Sequence, residues 1–353
     1  MLSPTTRSLK QDKYRGLILV KLVITIPAYN EEDTISEVLK EIPRHIDRID
    51  SVEVILIDDG STDNTSREAL LGGVDEIIPH RVNKGLGVTF RDGINRALER
   101  EADIIVNIDA DGQHNPEQIP DLIKPILDGK ADIVLGWRDI DNSEFISRGK
   151  KLGNKLATWI TRILSGLPIK DAQCGFRAFS KEAILRLNLF GKYTYVQEAI
   201  IQASHKDLQI EQVPVEFRER NGKSRLIAGL GSYAFRAGRI VFSAYRDYHP
   251  LRLFSFIGGI CVILGLIFGI KVLFHFAQTG MVSPYIPSTI LSSLLIIVGL
   301  GIITLGIFVH MLNNQRRLSE EILYRLKKNG SNNGSVHHAE VPPFERRDGK
   351  SGL

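Results

Sequence analysis

The stretch DADGQH, residues 109–114, places oxygen-bearing side chains directly after an apolar run. Asp109, Asp111 and Gln113 are spaced two residues apart, and His114 follows them. Carboxylates are rarely buried without a partner, so the expected partner is a cation or a substrate that brings one. A plain turn competes with this interpretation, because Asp and Gly favour turns. An EF-hand calcium loop is excluded, since the twelfth position from Asp109 is Pro120 and not Glu.

Further polar segments follow other apolar runs. IPAYNEE ends the first run, IDDGSTDNT ends the second, and NKGLG (83–87) offers glycines that let the backbone approach a ligand closely. No GxGxxG follows a strand-like run, and GxxxxGK[ST] is absent. The sequence therefore favours neither a dinucleotide-binding fold nor a P-loop enzyme.

The elements that must position these residues alternate along residues 20–220. Strand-like runs occur at 22–27, 52–59, 103–109 and 132–137. Helical periodicity lies between them, for example Ile35, Val38, Leu39 and Ile42 at positions i, i+3, i+4 and i+7. This alternation predicts an α/β domain with a mainly parallel sheet, whose ligands bind at the carboxyl ends of the strands.

Composition narrows the classes of function. The chain has 353 residues, with 45 basic against 41 acidic side chains, a balance too even for a nucleic-acid-binding protein. Cys174 and Cys261 lie far apart, so neither a disulfide framework nor a zinc site is expected, which fits a reducing compartment. The polar N-terminal residues show no signal peptide.

The second half of the chain contains two long apolar runs. Residues 253–270 carry no charged side chain, and residues 288–312 carry none beyond a histidine. A hydrocarbon core of about 30 Å takes roughly 20 residues, so we expect a transmembrane hairpin with spans at about 253–275 and 288–312. A pair of buried globular helices is the alternative. Arginines flank the hairpin and its linker has no Lys or Arg, so the positive-inside rule predicts that the α/β domain and both termini lie in the cytoplasm.

Two basic amphipathic segments are expected to lie between the α/β domain and the membrane. The first places Leu152, Leu156, Trp159 and Ile163 on one helical stripe. The second falls within residues 223–252, and both are expected in the lipid headgroup layer; a solvated helix face is the alternative. The predicted organisation in chain order is an N-terminal extension (1–19), the α/β domain (20–222), an interfacial segment (223–252), the hairpin (253–312), and a basic helix with a disordered tail (313–353).

Six motifs in this order resemble family 2 glycosyltransferases of the GT-A fold. They are IPAYNEE, IDDGSTDNT, NKGLG, DADGQH, QCGFRAFS (173–180) and FRERNGKSRL (217–226). Within that family the chain is most similar to the dolichol-phosphate mannose synthase group and related polyprenyl-phosphate hexosyltransferases. The resemblance covers roughly residues 20–230 and implies a Rossmann-like, mainly parallel sheet.

The resemblance also implies site residues. The nucleotide sugar would be bound by Pro27, Tyr29, Glu31, Asp58, Asp59, Lys84, Gly85 and Asp109. Mg²⁺ or Mn²⁺ would be held against the diphosphate by Asp111 and Gln113, with Asp109 beside them. A hard cation on oxygen ligands would stabilise the charge that builds on the leaving nucleotide. For His114 there are two interpretations, a place near this metal shell or, preferred here, part of a turn into a helix that begins at Pro116.

The acceptor side is rich in cations. A phosphate acceptor is already anionic at neutral pH and needs positioning and charge neutralisation more than a base. The expected phosphate-binding residues are Arg138, Arg218, Arg220, Lys223, Ser224 and Arg225, and Arg138 is also expected in catalysis beside Asp109 and Asp111. Glu198 stands roughly where alcohol-using relatives carry a catalytic aspartate, and here it would orient the pocket or pair with an arginine.

The expected activity is inverting transfer of one hexose from a nucleotide sugar to polyprenyl (dolichyl) phosphate, for glycan assembly such as protein glycosylation. GDP-mannose is the first expected donor, and UDP-glucose or another UDP-sugar is the alternative. The QxxRW motif of processive synthases is absent, which favours single-sugar transfer. The expected partners are the donor, the lipid acceptor and membrane lipids. A tethered binding protein without turnover and a sugar nucleotidyltransferase are the rival classes.

Overall fold

The computed structural model describes residues 19–219, apart from 142, 144, 145 and 190–194, together with residues 250–333. Most of the predicted N-terminal extension, nearly all of the second amphipathic segment and the end of the tail lie outside the described residues.

Seven strands within the described residues form one sheet. They are β1 Lys21–Ala28, β2 Ser51–Asp58, β3 Glu76–Pro79, β4 Ile104–Asn107, β5 Ile133–Trp137, β6 Arg177–Ser180 and β7 Ile210–Pro214. The strand order is β3-β2-β1-β4-β6-β5-β7. β6 runs antiparallel to β4 and β5, and every other pairing is parallel. The predicted mainly parallel α/β sheet is confirmed.

Nine α-helices accompany the sheet in the described part of the chain. They are α1 Ile35–Glu41, α2 Thr65–Leu71, α3 Leu86–Glu99, α4 Ile119–Leu127, α5 Arg148–Ser165, α6 Lys181–Arg186, α7 Val196–His205, α8 Pro250–Thr279 and α9 Ile286–Asn333. The periodicity at Ile35, Val38 and Leu39 correctly predicts α1, because all three side chains are buried.

The central strands are buried on both faces because helices cover the sheet on each side. Successive side chains of a strand point to opposite faces. Val23 of β1 therefore packs into one core cluster with residues of α3, α6 and α7, while Leu22 and Ile24 pack into a second with α1 and α4. Two-sided burial explains why these strands read as continuous apolar runs.

The predicted stripe on α5 is confirmed as a helix face, and that face points away from the core. Leu152, Trp159 and Ile163 are 60%, 56% and 60% exposed. Thr161 on the opposite side of the helix is buried, and its hydroxyl donates to the Ala157 carbonyl. The helix therefore presents apolar side chains outward and packs through small residues.

α8 and α9 are long enough and apolar enough to cross a membrane, with candidate spans Leu253–Thr279 and Ile286–Leu312. They pack closely because glycines meet on both helices: a Cβ added to Gly258 would lie 2.6 Å from the Gly299 carbonyl oxygen, and the reverse distance is 2.7 Å. The Ser292 hydroxyl also donates to the Gly265 carbonyl at 2.7 Å. Small residues at a crossing permit this approach in membrane helices.

α9 continues past the second candidate span and reaches the α/β domain. The Tyr324 hydroxyl donates to Glu182 Oε1 at 3.1 Å, and Lys206 Nζ lies 2.9 Å from Glu320 Oε2. Tyr324 also packs against the core cluster that contains α6 and α7. The hairpin and the α/β domain are thus joined by a side-chain contact in addition to the chain itself.

Candidate active site

The strand order reverses between β1 and β4, since the chain goes from β1 to β2 on one side and returns to β4 on the other. Ligands of open α/β sheets bind outside the carboxyl ends of the strands at such a switch point. Ala28 and Asp58 are register partners at the ends of β1 and β2, and the DADGQH loop follows β4. The sheet therefore brings the predicted donor and metal residues to one edge.

The loops after β1 and β2 are bonded to each other. The Asn30 amide donates to Ser61 Oγ at 2.9 Å, and Asn30 Oδ1 accepts from the Thr62 amide at 2.7 Å. The Glu31 amide donates to Thr65 Oγ1 at 2.8 Å. Asn30 has a φ of 55°, which side chains of this type tolerate in tight turns. The two loops therefore behave as one wall of the site.

Asp58 builds that wall. Its Oδ1 accepts from the Ser61 amide at 2.8 Å, its Oδ2 accepts from the Ser66 hydroxyl, and only 6% of the residue is exposed. Tyr29, at the end of β1, is 38% exposed, while Pro27 lies within β1 itself. Tyr29 thus offers an accessible ring on this wall, and Asp58 fixes the loop around it.

Asp59 holds the glycine-rich loop. Its Oδ1 accepts from the Lys84 amide at 2.8 Å, and its Oδ2 accepts from the Gly85 amide at 2.9 Å. His80 Nδ1 lies 2.8 Å from the same Oδ1. Asp59 is therefore occupied by the protein's own loop, although the sequence predicts it as a nucleotide contact.

The predicted metal loop is tied down at both ends. The Thr34 hydroxyl donates to the Ala110 carbonyl at 2.8 Å, and Asp111 Oδ1 accepts from the Gln113 amide at 3.2 Å. The Arg218 amide donates to the Gln113 carbonyl at 2.8 Å, next to an antiparallel bridge between His114 and Phe217. The predicted ligands Asp111 and Gln113 are thus neighbours on one restrained loop.

Asp109 lies against a glycine. A Cβ on Gly175 would be 2.6 Å from Asp109 Oδ2, so only glycine allows this approach. The Gly175 carbonyl accepts from Asn107 Nδ2 at 3.1 Å and from the Tyr195 hydroxyl at 3.2 Å. Arg177, fully buried, donates to the carbonyls of residues 172, 174 and 196 around it. A buried polar network therefore sets the position of the Asp109 carboxylate.

Arg138 is buried and paired. Its Nε donates to Asp171 Oδ2 at 2.7 Å, and its guanidinium lies 4.8 Å from the Phe217 ring centre. Burial by itself would raise the pKa of Asp171, but the Arg138 charge and the hydrogen bonds that Asp171 accepts together outweigh burial and hold that pKa below its usual value. Burial likewise opposes the charge on Arg138, but the Asp171 carboxylate and the other acidic groups nearby together more than offset burial, so the pKa of Arg138 is raised.

His114 is a buried neutral ring beside Asp109. It packs between Phe176 and Phe217, and its Nε2 is 3.9 Å from Asp109 Oδ2. Burial, followed by the positive charge of Arg138, lowers its pKa to about 3. The predicted turn is also present: a 3₁₀ turn begins at Pro116, immediately after this loop.

Arg218 is the only predicted phosphate-binding residue after β7 that the structure describes; Arg220, Lys223, Ser224 and Arg225 lie outside the described residues. Arg218 Nη1 pairs with Glu41 Oε2 at 2.7 Å, and both side chains are about one-third exposed (34% and 39%). Together with Asp111 it lines a cavity of about 200 Å³ between α1 and the metal loop. Glu198, in the first turn of α7, accepts from Gln202 Nε2 at 3.2 Å.

Sequence reasoning did not assign roles to Asp171, Gly175, Arg177, Tyr195 or His80. Three of these five fall in or next to the quoted motif QCGFRAFS, so the motif marks the segment but not the contacts. Their roles come from partners far along the chain, such as the Arg138–Asp171 bond across 33 residues.

Comparison with known proteins identifies the family. Residues 23–187 match the family described as Glycosyl transferase family 2. The chain is 35% identical over 218 residues to a UDP-N-acetylglucosamine–dolichyl-phosphate N-acetylglucosaminyltransferase of Methanococcus voltae, covering 55% of this chain and 84% of the relative. It is 28% identical over 222 residues to an undecaprenyl-phosphate mannosyltransferase of Micrococcus luteus, covering 60% of this chain and 89% of the relative.

A solved structure shares the fold. Glucosyl-3-phosphoglycerate synthase from Mycobacterium tuberculosis, in complex with phosphoglyceric acid, matches with a TM-score of 0.50 at 25% identity, covering 64% of this chain and 80% of that chain. The same enzyme in complex with Mn²⁺, UDP and phosphoglyceric acid matches with a TM-score of 0.50 at 23% identity, covering 64% of this chain and 78% of that chain, and bears on the fold alone. The chain belongs to glycosyl transferase family 2, with a GT-A-like catalytic fold.

Proposed function

We propose that this glycosyltransferase transfers a single hexose from a nucleotide sugar to polyprenyl phosphate, with inversion at the anomeric carbon. The observation that carries the proposal is the restrained loop at the switch point, on which Asp109, Asp111 and Gln113 stand together. Relatives whose names include dolichyl or undecaprenyl phosphate support the class of acceptor.

The oxygen donors of this loop fit a divalent cation. Mg²⁺ typically takes one or two carboxylates and completes its shell with water and substrate phosphates. Among the described residues no group of three or more His, Cys, Asp or Glu side chains could hold a metal without such help. Asp111 and Gln113 would hold Mg²⁺ or Mn²⁺, and the bound ion would offset charge on the departing nucleoside diphosphate. Asp109 would face the ribose and the sugar.

The acceptor phosphate would meet cations on the other side of the metal loop. Arg218 lies beside that loop, and its ion pair with Glu41 joins two partly exposed side chains, an interaction of at most about 1 kcal/mol. Arg138, held in place by its bond to Asp171, would serve as a fixed anchor of the acceptor pocket. Arg220, Lys223, Ser224 and Arg225 remain proposed phosphate contacts on sequence grounds.

GDP-mannose is the first proposed donor, supported by two relatives named for mannose transfer at 28% and 27% identity. A UDP-sugar is the second candidate, and one observation favours it: the relative at 35% identity is named for UDP-N-acetylglucosamine. Asp59 gives no reason to prefer either donor, because its carboxylate already accepts the backbone amides of Lys84 and Gly85.

The enzyme would work at the cytoplasmic face of a membrane. The candidate spans expose many large apolar side chains, for example Ile263 at 59% and Ile297 at 68%. Exposing apolar surface to water is unfavourable, and a lipid environment removes that free-energy cost. The exposed stripe on α5 would lie in the headgroup layer of the same bilayer. Both termini would then be cytoplasmic, as the flanking arginines predict.

The first test is transfer of radiolabelled sugar to organic-extractable polyprenyl phosphate in purified membranes. GDP-mannose is compared with UDP-glucose and UDP-N-acetylglucosamine, with Mg²⁺, with Mn²⁺ and with chelator. Metal-dependent lipid label is expected, with a loss of at least about 100-fold in Asp111→Ala.

Asp121→Ala serves as the matched control, since it removes an exposed carboxylate from the first turn of α4, and Asp121 does not line the cavity beside Asp111. If only a UDP-sugar labels the lipid, the proposed donor is wrong and the proposed mechanism stands. A folded protein that labels no lipid from any of the three donors would refute the proposed function.

A further inference from the structure

His80 occupies an unusual place for an ionisable side chain: its side chain is 3% exposed and both ring nitrogens face carboxylates. Nδ1 is 2.8 Å from Asp59 Oδ1, and Nε2 is 3.0 Å from Asp92 Oδ2. The His80 amide also donates to the Asp58 carbonyl at 2.8 Å, which fixes the residue just beyond β3. The ring therefore bridges the end of β2 to helix α3.

The carboxylate on one side of this bridge organises the glycine-rich loop. Asp59 accepts the amides of Lys84 and Gly85, the last two residues before α3. Gly85 has a φ of +92°, a conformation that disfavours other residues and that the two amide bonds help to hold. The loop also rests on Gly60, where a Cβ would lie 2.7 Å from the Val82 carbonyl carbon. Its shape thus depends on Asp59 keeping its orientation.

The carboxylate on the other side belongs to α3. Asp92 lies in the second turn of that helix, and Lys84 Nζ lies 3.6 Å from it. His80 consequently contacts both structures that hold this loop: Asp59, which binds the backbone amides of Lys84 and Gly85, and Asp92 on helix α3. Losing the ring would leave the Asp59 carboxylate, 6% exposed, with one donor fewer.

We infer that His80 is a positioning residue for the donor site: by bridging Asp59 and Asp92, it fixes the loop at Lys84 and Gly85 that faces the nucleotide sugar. The inference rests on the proposed function only in placing the donor at the switch point. His80 touches no substrate in this assignment and acts through the loop.

Amide isosteres of histidine separate the two halves of the bridge. His80→Asn places an amide near the Nδ1 position and keeps the bond to Asp59, whereas His80→Gln reaches toward Asp92; His80→Leu keeps neither. His45→Leu is the matched control, because His45 is exposed on another loop.

The readouts are the KM for donor, the KM for acceptor, kcat, and amide hydrogen exchange at Lys84 and Gly85 in the ligand-free enzyme. For His80→Leu we expect faster exchange at both amides and a donor KM raised about tenfold or more, with the acceptor KM within about twofold of wild type. His80→Asn should recover most of the donor KM, and His45→Leu should change none of these values.

A folded His80→Leu enzyme with unchanged donor KM and unchanged exchange would overturn the inference, as would equal losses at donor, acceptor and kcat. If His80→Leu does not fold, His80→Gln takes its place with the same expectations, because it gives up the bond to Asp59. Absence of transfer by the wild-type enzyme refutes the proposed function instead. In that case the exchange rates, and binding of GDP and UDP to wild type and variant, decide on His80.

Discussion

Substitution of Gly175 by alanine tests whether the position of Asp109 controls transfer. The added Cβ would lie 2.6 Å from Asp109 Oδ2, whereas ordinary contacts begin at 3.4 Å, so the carboxylate must retreat by about 0.8 Å. The Gly175 backbone cannot yield easily, because its carbonyl accepts bonds from Asn107 and Tyr195. A misplacement near 1 Å at a reacting centre costs about 100-fold in rate, or about 2.7 kcal/mol. We expect that loss in kcat/KM for Gly175→Ala.

The assay is lipid-linked transfer at saturating metal, accompanied by the thermal unfolding temperature of each variant. Gly259→Ala is the control, since a Cβ there meets nothing within 4 Å. The clash is specific to one side chain, so Gly175→Ala should lower the unfolding temperature in the wild type but not in an Asp109→Ala background. Equal lowering in both backgrounds, or full activity in Gly175→Ala, would refute the reasoning.

Three further predictions concern stability. Asp171→Asn leaves the buried Arg138 charge unpaired and should cost about 3 kcal/mol in denaturant unfolding; because the folded-state pKa of Asp171 is lowered, the wild-type advantage should persist at neutral pH and vanish as pH falls below about 4. The pKa of His114 is lowered to about 3, so below about pH 6.5 the unfolded chain takes up a proton that the folded protein does not. The free energy of unfolding of the wild type should therefore fall by up to about 1.4 kcal/mol per pH unit. His114→Phe should remove that dependence in the same titration. Gly299→Leu should separate α8 from α9 at Gly258 and lower the unfolding temperature in detergent, whereas Gly301→Leu, at an open position, should not.

Local patterns were sufficient to predict the strands β1, β2, β4 and β5, because their apolar runs are short and end at turn-forming residues. They did not predict β6, a four-residue strand that pairs antiparallel with both neighbours, or the strand β7. Strand direction depends on how the preceding segment crosses the sheet, and no residue within Arg177–Ser180 encodes it. The half-buried edge strand β3 was missed for lack of a buried apolar run.

The site shows the same division. Spacing within one loop brought Asp109, Asp111 and Gln113 together, since side chains on a short loop stay near each other. The bonds of Asp59 to the loop at Lys84, 25 residues away, and of Arg138 to Asp171 depend on the folded sheet. The sequence therefore identified carboxylates that could take part in the reaction, but it did not show that Asp59 and Asp171 bind other parts of the protein and hold them in place.

The length of α9 has a mechanical consequence. The helix is continuous from Ile286 to Asn333, so the candidate span and Tyr324 belong to one rigid element of 48 residues. Tyr324 stands about 18 Å along the axis from Leu312, the end of that span, at 1.5 Å per residue. With the span in the bilayer, residue count in this stretch sets the height of the catalytic domain above the lipid phosphates. Deleting one residue would lower the domain and rotate it by about 100° about the helix axis. Inserting seven residues, close to two full turns, would raise the domain by about 10 Å and leave its orientation nearly unchanged.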